Sequence, residues 1–250
     1  MTPEGVQGLD RYAYANNNAV KYTDPTGHIP ECGPDGVYCD QNATFEERYN
    51  ITFEGVWNDI DKAAVIAAVE AVASKFAILL MENPGLAWSR AFGSMTFQMG
   101  NCSGCNGSGG YTAGAHRIEF ASMAENWRTD KRLRDINLVV HELGHAFDFI
   151  RDRDPSNDLY RKQLNDPKFP NRGNYPNPKP ENWTGDTTGF ASRQNVLTWQ
   201  MSVTNAGDAS EEFADQFLGW TFNTWDTNED VNAAQQRSDW MDQNMRGFVK

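Results

Sequence analysis

The sequence is poor in histidine and in basic residues. Four of its 250 residues are histidines, and 22 Lys and Arg stand against 34 Asp and Glu, which leaves a net charge of -12. A protein that binds nucleic acid normally carries a basic surface to neutralise phosphates, so this charge balance argues against a nucleic-acid partner. The first residues also lack the basic start and apolar run that are typical of a secretory signal.

An uninterrupted apolar run long enough to span a membrane is also missing. The longest apolar segment, residues 63–81, is interrupted by Glu70 and Lys75. Large apolar residues recur in it at helical spacing, at Val65, Val69, Val72, Phe76 and Leu79. This spacing predicts a core helix over residues 59–82 rather than a membrane span.

Cysteine is scarce, and the four cysteines form two close pairs. One pair is Cys32 and Cys39, and the other is Cys102 and Cys105. An even number of cysteines in short loops favours two disulfides and an exported protein. A structural zinc site with four cysteine ligands is the alternative, although the spacing of the first pair is longer than usual for zinc ligands.

In the middle of the chain, the sequence predicts one strand with a loop before it and a loop farther along the chain. Residues 100–110 are rich in glycine and predict a flexible loop, whereas residues 116–120 alternate in polarity and predict a strand. Six of the eleven prolines lie between Pro155 and Pro180, which predicts a long surface loop over residues 154–188.

The remaining segments predict helices, so the C-terminal part should be mostly helical. One helix is predicted over residues 128–152 and another over residues 210–222, with Ser210 as its N-cap. Residues 231–249 predict a closing helix. Together with the strand, these helices indicate an α+β protein.

Two of the four histidines lie four residues apart, in the stretch LVVHELGHAFDF of residues 138–149. On a helix, His141 and His145 would share one face, so both imidazoles could bind one metal ion. Glu142 would lie beside that ion and could take a proton from water. This H-E-x-x-H pattern is typical of catalytic zinc sites. Gly144 is unfavourable inside a helix, which indicates that another part of the chain approaches closely there.

A catalytic zinc site needs a third protein ligand. No histidine follows His145, so that ligand must be a carboxylate. The predicted helix SEEFADQF offers Glu211, and Asp215 one turn later could hydrogen-bond a zinc-binding imidazole. Glu212 is the alternative ligand. Glu211 is favoured, because it alone has an acid one turn later.

The two stretches HELGHAFD and EEFADQF resemble the gluzincin metallopeptidases, and most of all the catalytic domain of the lethal factor type. In that pattern Glu211 stands at the position of the third zinc ligand, and Asp215 at that of the acid that orients a ligand imidazole. The resemblance implies an α+β zincin fold with a small mixed sheet and peptide-bond hydrolysis. Zincins present an edge strand that pairs with the substrate backbone, a role that residues 116–120 could fill.

Several further side chains have less defined roles. The family often has a tyrosine shortly before the ligand glutamate, which stabilises the oxyanion; this chain has none there, and Tyr160 or Tyr175 could replace it. Asp148 could fix the loop after the metal-binding helix, or it could be a solvated acid. His116 is expected at the surface rather than among the ligands.

The beginning of the chain resembles a second family. The stretch GLDRYAYANNNAVKYTDPTGH, within residues 2–28, is similar to the C-terminal end of the core in Rhs/YD-repeat proteins, where a variable toxin domain follows a shell. The second Asp-Pro-x-Gly motif of that family is intact at Asp24 to Gly27. The first has Thr2 where the family has an aspartate that takes part in self-cleavage.

The two resemblances imply a domain division and a function. Residues 1–28 would be the end of an Rhs core, and residues 29–250 a zincin-like metallopeptidase toxin domain, secreted or delivered into a target cell. Its expected partners are a protein or peptide substrate, the Rhs shell and a neutralising immunity protein, with no nucleic acid and no membrane span. The alternative is a catalytically inactive zincin-like binding module with structural zinc. The expected site consists of Glu142 as the base, the ligands His141, His145 and Glu211, and Asp215 behind them.

Overall fold

The structure is a computed structural model, and it describes residues 43–105, 109–122, 131–166, 206–223, 225 and 231–249. The residues from Thr44 onward belong to one compact unit. The segment that resembles an Rhs core, the predicted boundary after residue 28 and the first cysteine pair lie outside the described residues.

Seven helices and four strands lie in the described part of the chain, which confirms the α+β class. In chain order they are α1 (Phe45–Tyr49), β1 (Ile51–Gly55), α2 (Asp59–Leu80), α3 (Pro84–Phe92), β2 (Met95–Met99), β3 (Gly109–Gly114), β4 (Arg117–Ser122), α4 (Lys131–Ile150), α5 (Asp154–Asn165), α6 (Ala206–Phe222) and α7 (Val231–Phe248).

The four strands form one small mixed sheet in the order β1-β2-β4-β3. The strands β1, β2 and β4 are parallel, and β3 pairs with β4 in the antiparallel direction. The strand predicted at residues 116–120 is present as β4, but it lies between β2 and β3. The expectation that it could be the edge strand is therefore wrong. The edge strands of this sheet are β1 and β3, and β3 begins at the end of the predicted glycine-rich loop.

Helix α2 forms where its apolar spacing predicts it. The Asn58 side chain caps its first turn by accepting a hydrogen bond from the Asp61 amide, at 2.8 Å. One face packs in the core, including Val65, Val69 and Phe76, which are fully buried. Among the described helices, α2 alone is long and apolar enough by length and composition to cross a membrane.

The close contact between α4 and α6 determines the position of the candidate site. A side-chain carbon added to Gly144 would lie 2.8 Å from the Cα of Ala214, too close for any larger residue without movement of the backbone. The rings of Phe147 on α4 and Phe217 on α6 pack beside this contact, with centroids 5.9 Å apart. The predicted close approach at Gly144 is therefore confirmed. The residue that approaches it is Ala214 of α6.

Two predictions about the segment after α4 were wrong. The predicted surface loop contains a helix, α5, in its first part. Pro155 lies in the first turn of α5, where a missing amide hydrogen costs nothing, so this proline does not prevent a helix. Helix α6 begins at Ala206, which places Ser210 inside the helix instead of at its cap. The predicted closing helix is present as α7.

Candidate metal centre

His141, His145 and Glu211 face one another where α4 meets α6. The two imidazole Nε2 atoms lie 3.1 Å apart. Glu211 Oε2 lies 3.4 Å from His141 Nε2 and 3.3 Å from His145 Nε2. Around a tetrahedral ion with ligand distances of about 2.1 Å, neighbouring ligand atoms lie about 3.4 Å apart. These three residues are therefore a cluster that could bind one metal ion.

His141 is oriented for this role by an acid on α6. Its Nδ1 atom lies 3.0 Å from Asp215 Oδ1, and both side chains are buried. A carboxylate accepts hydrogen bonds, so Nδ1 carries the hydrogen when this bond forms. The opposite nitrogen, Nε2, then turns its lone pair toward the cluster. The structure thus places Asp215 where the sequence predicts it.

His145 is oriented by a serine and an acid that the sequence did not assign to the site. Its Nδ1 atom lies 3.2 Å from Ser210 Oγ, and the Ser210 hydroxyl donates to Asp148 Oδ2 at 3.0 Å. Because the hydroxyl has one hydrogen, its oxygen is left to accept from His145 Nδ1–H. The lone pair of His145 Nε2 then faces the cluster, as that of His141 Nε2 does. In the sequence, the only sign of this role is that Ser210 precedes the predicted ligand Glu211. The sign has meaning only when both residues are known to lie inside one helix.

Asp148 is a buried anchor rather than a solvated acid. It is 1% exposed, and its second oxygen accepts the Ser156 amide of α5 at 2.9 Å. Burial raises the pKa of Asp148, against the hydrogen bonds from Ser156 and Ser210 that favour its charged form. The prediction that Asp148 fixes the segment after the helix is confirmed, and the same carboxylate also supports His145.

Glu142 is not one of the three donors, but its charge acts on the neighbouring His141. Its carboxylate Oε2 accepts a hydrogen bond from the Thr112 hydroxyl at 2.7 Å, and the side chain is buried. Thr112 belongs to the edge strand β3. The carboxylate is thus held at the boundary between α4 and the sheet, as a base beside the cluster would need.

Glu212, the alternative third ligand, points to a different part of the protein. Its Oε1 accepts a hydrogen bond from Arg237 of α7 at 2.6 Å, and both side chains are fully buried. The successive positions Glu211 and Glu212 on α6 therefore face the histidines and α7, respectively. Only Glu211 is placed to bind a metal with the histidines.

The charges of the cluster are strongly coupled. Burial alone would lower the pKa of His141, but its hydrogen bonds with Asp215 and Glu211 outweigh burial and raise the pKa to about 10. Burial alone would raise the pKa of Glu211, but its hydrogen bonds with the two histidines hold it well below its ordinary range. Without a metal, the pocket therefore retains one positive charge as a proton, at a place where a metal cation would supply that charge instead.

Other predicted residues lie away from the cluster. His116 is exposed in the turn between β3 and β4, as expected. Tyr160 is half-buried on α5 and forms no hydrogen bond with the three donor residues within the described ranges, and Tyr175 lies outside those ranges. Cys102 and Cys105 form a disulfide, which agrees with the disulfide interpretation for this pair.

No protein-family model, curated protein or solved structure matches the chain. A functional assignment therefore depends on the residues of this centre and on the motifs that contain them.

Proposed function

We propose that this chain is a zinc-dependent peptidase with a zincin-type fold, in which His141, His145 and Glu211 hold the zinc. The observation that carries the proposal is the convergence of two imidazole Nε2 atoms and one carboxylate oxygen within 4.8 Å of one another. Two imidazoles and one carboxylate are a typical donor set of catalytic zinc. When bound there, zinc supplies a Lewis acid that polarises a carbonyl and makes water more acidic.

Glu142 is the general base in this proposal. Its carboxylate accepts the proton of the attacking water and later passes that proton to the leaving amine. It is adjacent in sequence to His141 but is not one of the donors, which is the arrangement that such a base requires. Among the described residues the cluster has three donors, and this number favours a peptidase over a module with structural zinc, because structural sites have four protein ligands.

The edge strand β3 supports a peptide as the substrate. An extended peptide can add to the free edge of a sheet through main-chain hydrogen bonds. Among the described strands, β3 pairs with β4 alone, and it contacts Glu142 through Thr112. A peptide bound along β3 would therefore pass beside the base.

The biological setting is proposed from sequence resemblance. Residues 2–28 resemble the end of an Rhs core, so the peptidase would be the effector domain of an Rhs-type polymorphic toxin. It would be delivered into a target cell, and an immunity protein would neutralise it in the producing cell.

The proposal is tested by metal analysis and peptide cleavage on wild type and Glu142→Gln. We expect about one zinc per chain in both proteins. Cleavage by Glu142→Gln should fall about 10²- to 10⁴-fold, the contribution of a positioned general base. Substrates can be found by labelling new protein N-termini in a target-cell lysate.

Glu70→Gln is the matched control, because Glu70 is exposed on α2. It should cleave like wild type. Full activity of Glu142→Gln, or wild-type protein without zinc, would contradict the proposal.

A further inference from the structure

The edge strand and the proposed base are joined by one buried hydrogen-bonding side chain, Thr112. Its hydroxyl oxygen lies 2.7 Å from Glu142 Oε2 and 2.9 Å from the main-chain oxygen of Glu142. Thr112 is 5% exposed, as is Glu142. We propose that Thr112 is the positioning residue for Glu142, fixing its carboxylate for proton transfer; this inference rests on the peptidase function proposed above.

The hydrogen count shows which of the two contacts matters. A threonine hydroxyl has one hydrogen and cannot donate fully to both oxygens at once. The main-chain oxygen of Glu142 lies inside α4, where the amide four residues later supplies its helical hydrogen bond. The side-chain carboxylate of Glu142 receives no such hydrogen bond from the main chain of the helix. Among the described residues, Thr112 is the side chain that donates to it, so the hydroxyl determines where the carboxylate lies.

Gly110 makes room for the same carboxylate arm. A side-chain carbon at Gly110 would lie 2.9 Å from Glu142 Cγ and 2.9 Å from the ring of Phe120. Gly110 and Thr112 are two residues apart on one strand and therefore face the same side of the sheet. Gly110 leaves space for the side-chain carbons of Glu142, and Thr112 hydrogen-bonds its carboxylate.

This arrangement links substrate binding to the base. The strand that would pair with an extended peptide is the strand that hydrogen-bonds Glu142, so the peptide and the carboxylate would both contact β3. A displacement of about 1 Å in a reacting group can cost about a hundredfold in rate, so a fixed carboxylate has a large effect. The role of Thr112 is thus to position another residue rather than to contact the substrate itself.

The test compares Thr112→Val, which keeps the shape and removes the hydroxyl, with Thr112→Ser, which keeps the hydroxyl. For Thr112→Val we expect unchanged zinc content, a KM within about twofold of wild type and a kcat lower by about 10- to 100-fold. Thr112→Ser should recover kcat to within about threefold of wild type. Thr52→Val, at an exposed position on β1, is the control and should match wild type.

A second readout does not depend on activity. Crystal structures of the metal-free variants should show the Glu142 carboxylate displaced in Thr112→Val and in place in Thr112→Ser. If wild type cleaves no peptide, the peptidase proposal fails, and the carboxylate position alone decides the role of Thr112. An undisplaced carboxylate in Thr112→Val, an unchanged kcat, a serine variant as slow as the valine variant, or a loss of zinc or folding in Thr112→Val would each overturn the positioning role.

Discussion

Asp215 Oδ1 lies 3.0 Å from His141 Nδ1, and both side chains are buried between α4 and α6. The carboxylate fixes the imidazole with Nε2 toward Glu211 and His145. The proposed metal centre therefore depends on a residue that is not one of the three donors.

Asp215→Asn should weaken zinc binding while leaving all three donors present. An amide accepts a weaker hydrogen bond than a carboxylate, and removal of such a partner typically costs 10- to 100-fold in metal affinity. Competition with a chromogenic chelator measures the affinity. Asp239→Asn, exposed on α7, is the control and should bind zinc like wild type. Equal zinc affinity in Asp215→Asn and wild type would disprove the orienting role.

Changes at Glu211 and Glu212 should have different effects although the two residues are neighbours. Glu211→Gln should lose zinc, because it removes the one carboxylate among the three donors. The protein should remain folded. Glu212→Gln should retain zinc when folded but be less stable than wild type, because the buried Arg237 loses its ion pair with Glu212. Zinc analysis and urea unfolding distinguish the two. Loss of zinc in a folded Glu212→Gln protein would reverse the assignment.

Gly144→Ala should destabilise the protein even though alanine favours helices. The added carbon would lie 2.8 Å from the Cα of Ala214 and would force α4 and α6 apart. We expect a loss of about 1 to 3 kcal/mol in the free energy of unfolding, with weaker zinc binding. Urea unfolding monitored by circular dichroism measures the first effect.

Gly247→Ala provides the comparison for Gly144→Ala. Gly247 also lies in a helix, α7, but outside that helix's own neighbouring backbone no atom of the described residues lies within 4 Å of the added carbon. This variant should be as stable as wild type or slightly more stable, by up to about 1 kcal/mol. If both variants gained stability, the close contact at Gly144 would not limit residue size.

Zinc binding should release a proton and strengthen as the pH rises. In the metal-free protein the pKa of His141 is raised from 6.5 to about 10, so its protonated form stabilises the fold fully below pH 6.5 and this contribution is lost as the pH rises through about 10. Between these values zinc must displace the proton. Affinity should therefore rise about tenfold per pH unit between pH 7 and 8, with about one proton released per zinc. Calorimetry in two buffers of different ionisation enthalpy counts the protons, and a count near zero would contradict the raised pKa of His141.

Local patterns were enough to identify the helices that build the centre. The spacing of His141 and His145 depends only on helix geometry, and Asp215 follows Glu211 by one turn of another helix, so both relationships can be read along the chain. The apolar spacing in α2 likewise predicted a core helix. The glycine at position 144 predicted a close contact, because glycine is unfavourable inside a helix.

The partners across the centre were decided by tertiary structure. Ser210 supports His145 only because α6 begins four residues earlier than its capping signal suggests and because the end of α4 brings Asp148 beside it. Thr112 reaches Glu142 because β3, more than the predicted strand β4, packs against α4. The sequence determined which side chains can bind a metal or move a proton, since that chemistry belongs to residue types and helical spacing. The packing of α4 against α6 and β3 alone determined which atoms meet, because hydrogen bonds between distant segments leave no periodic pattern in the chain.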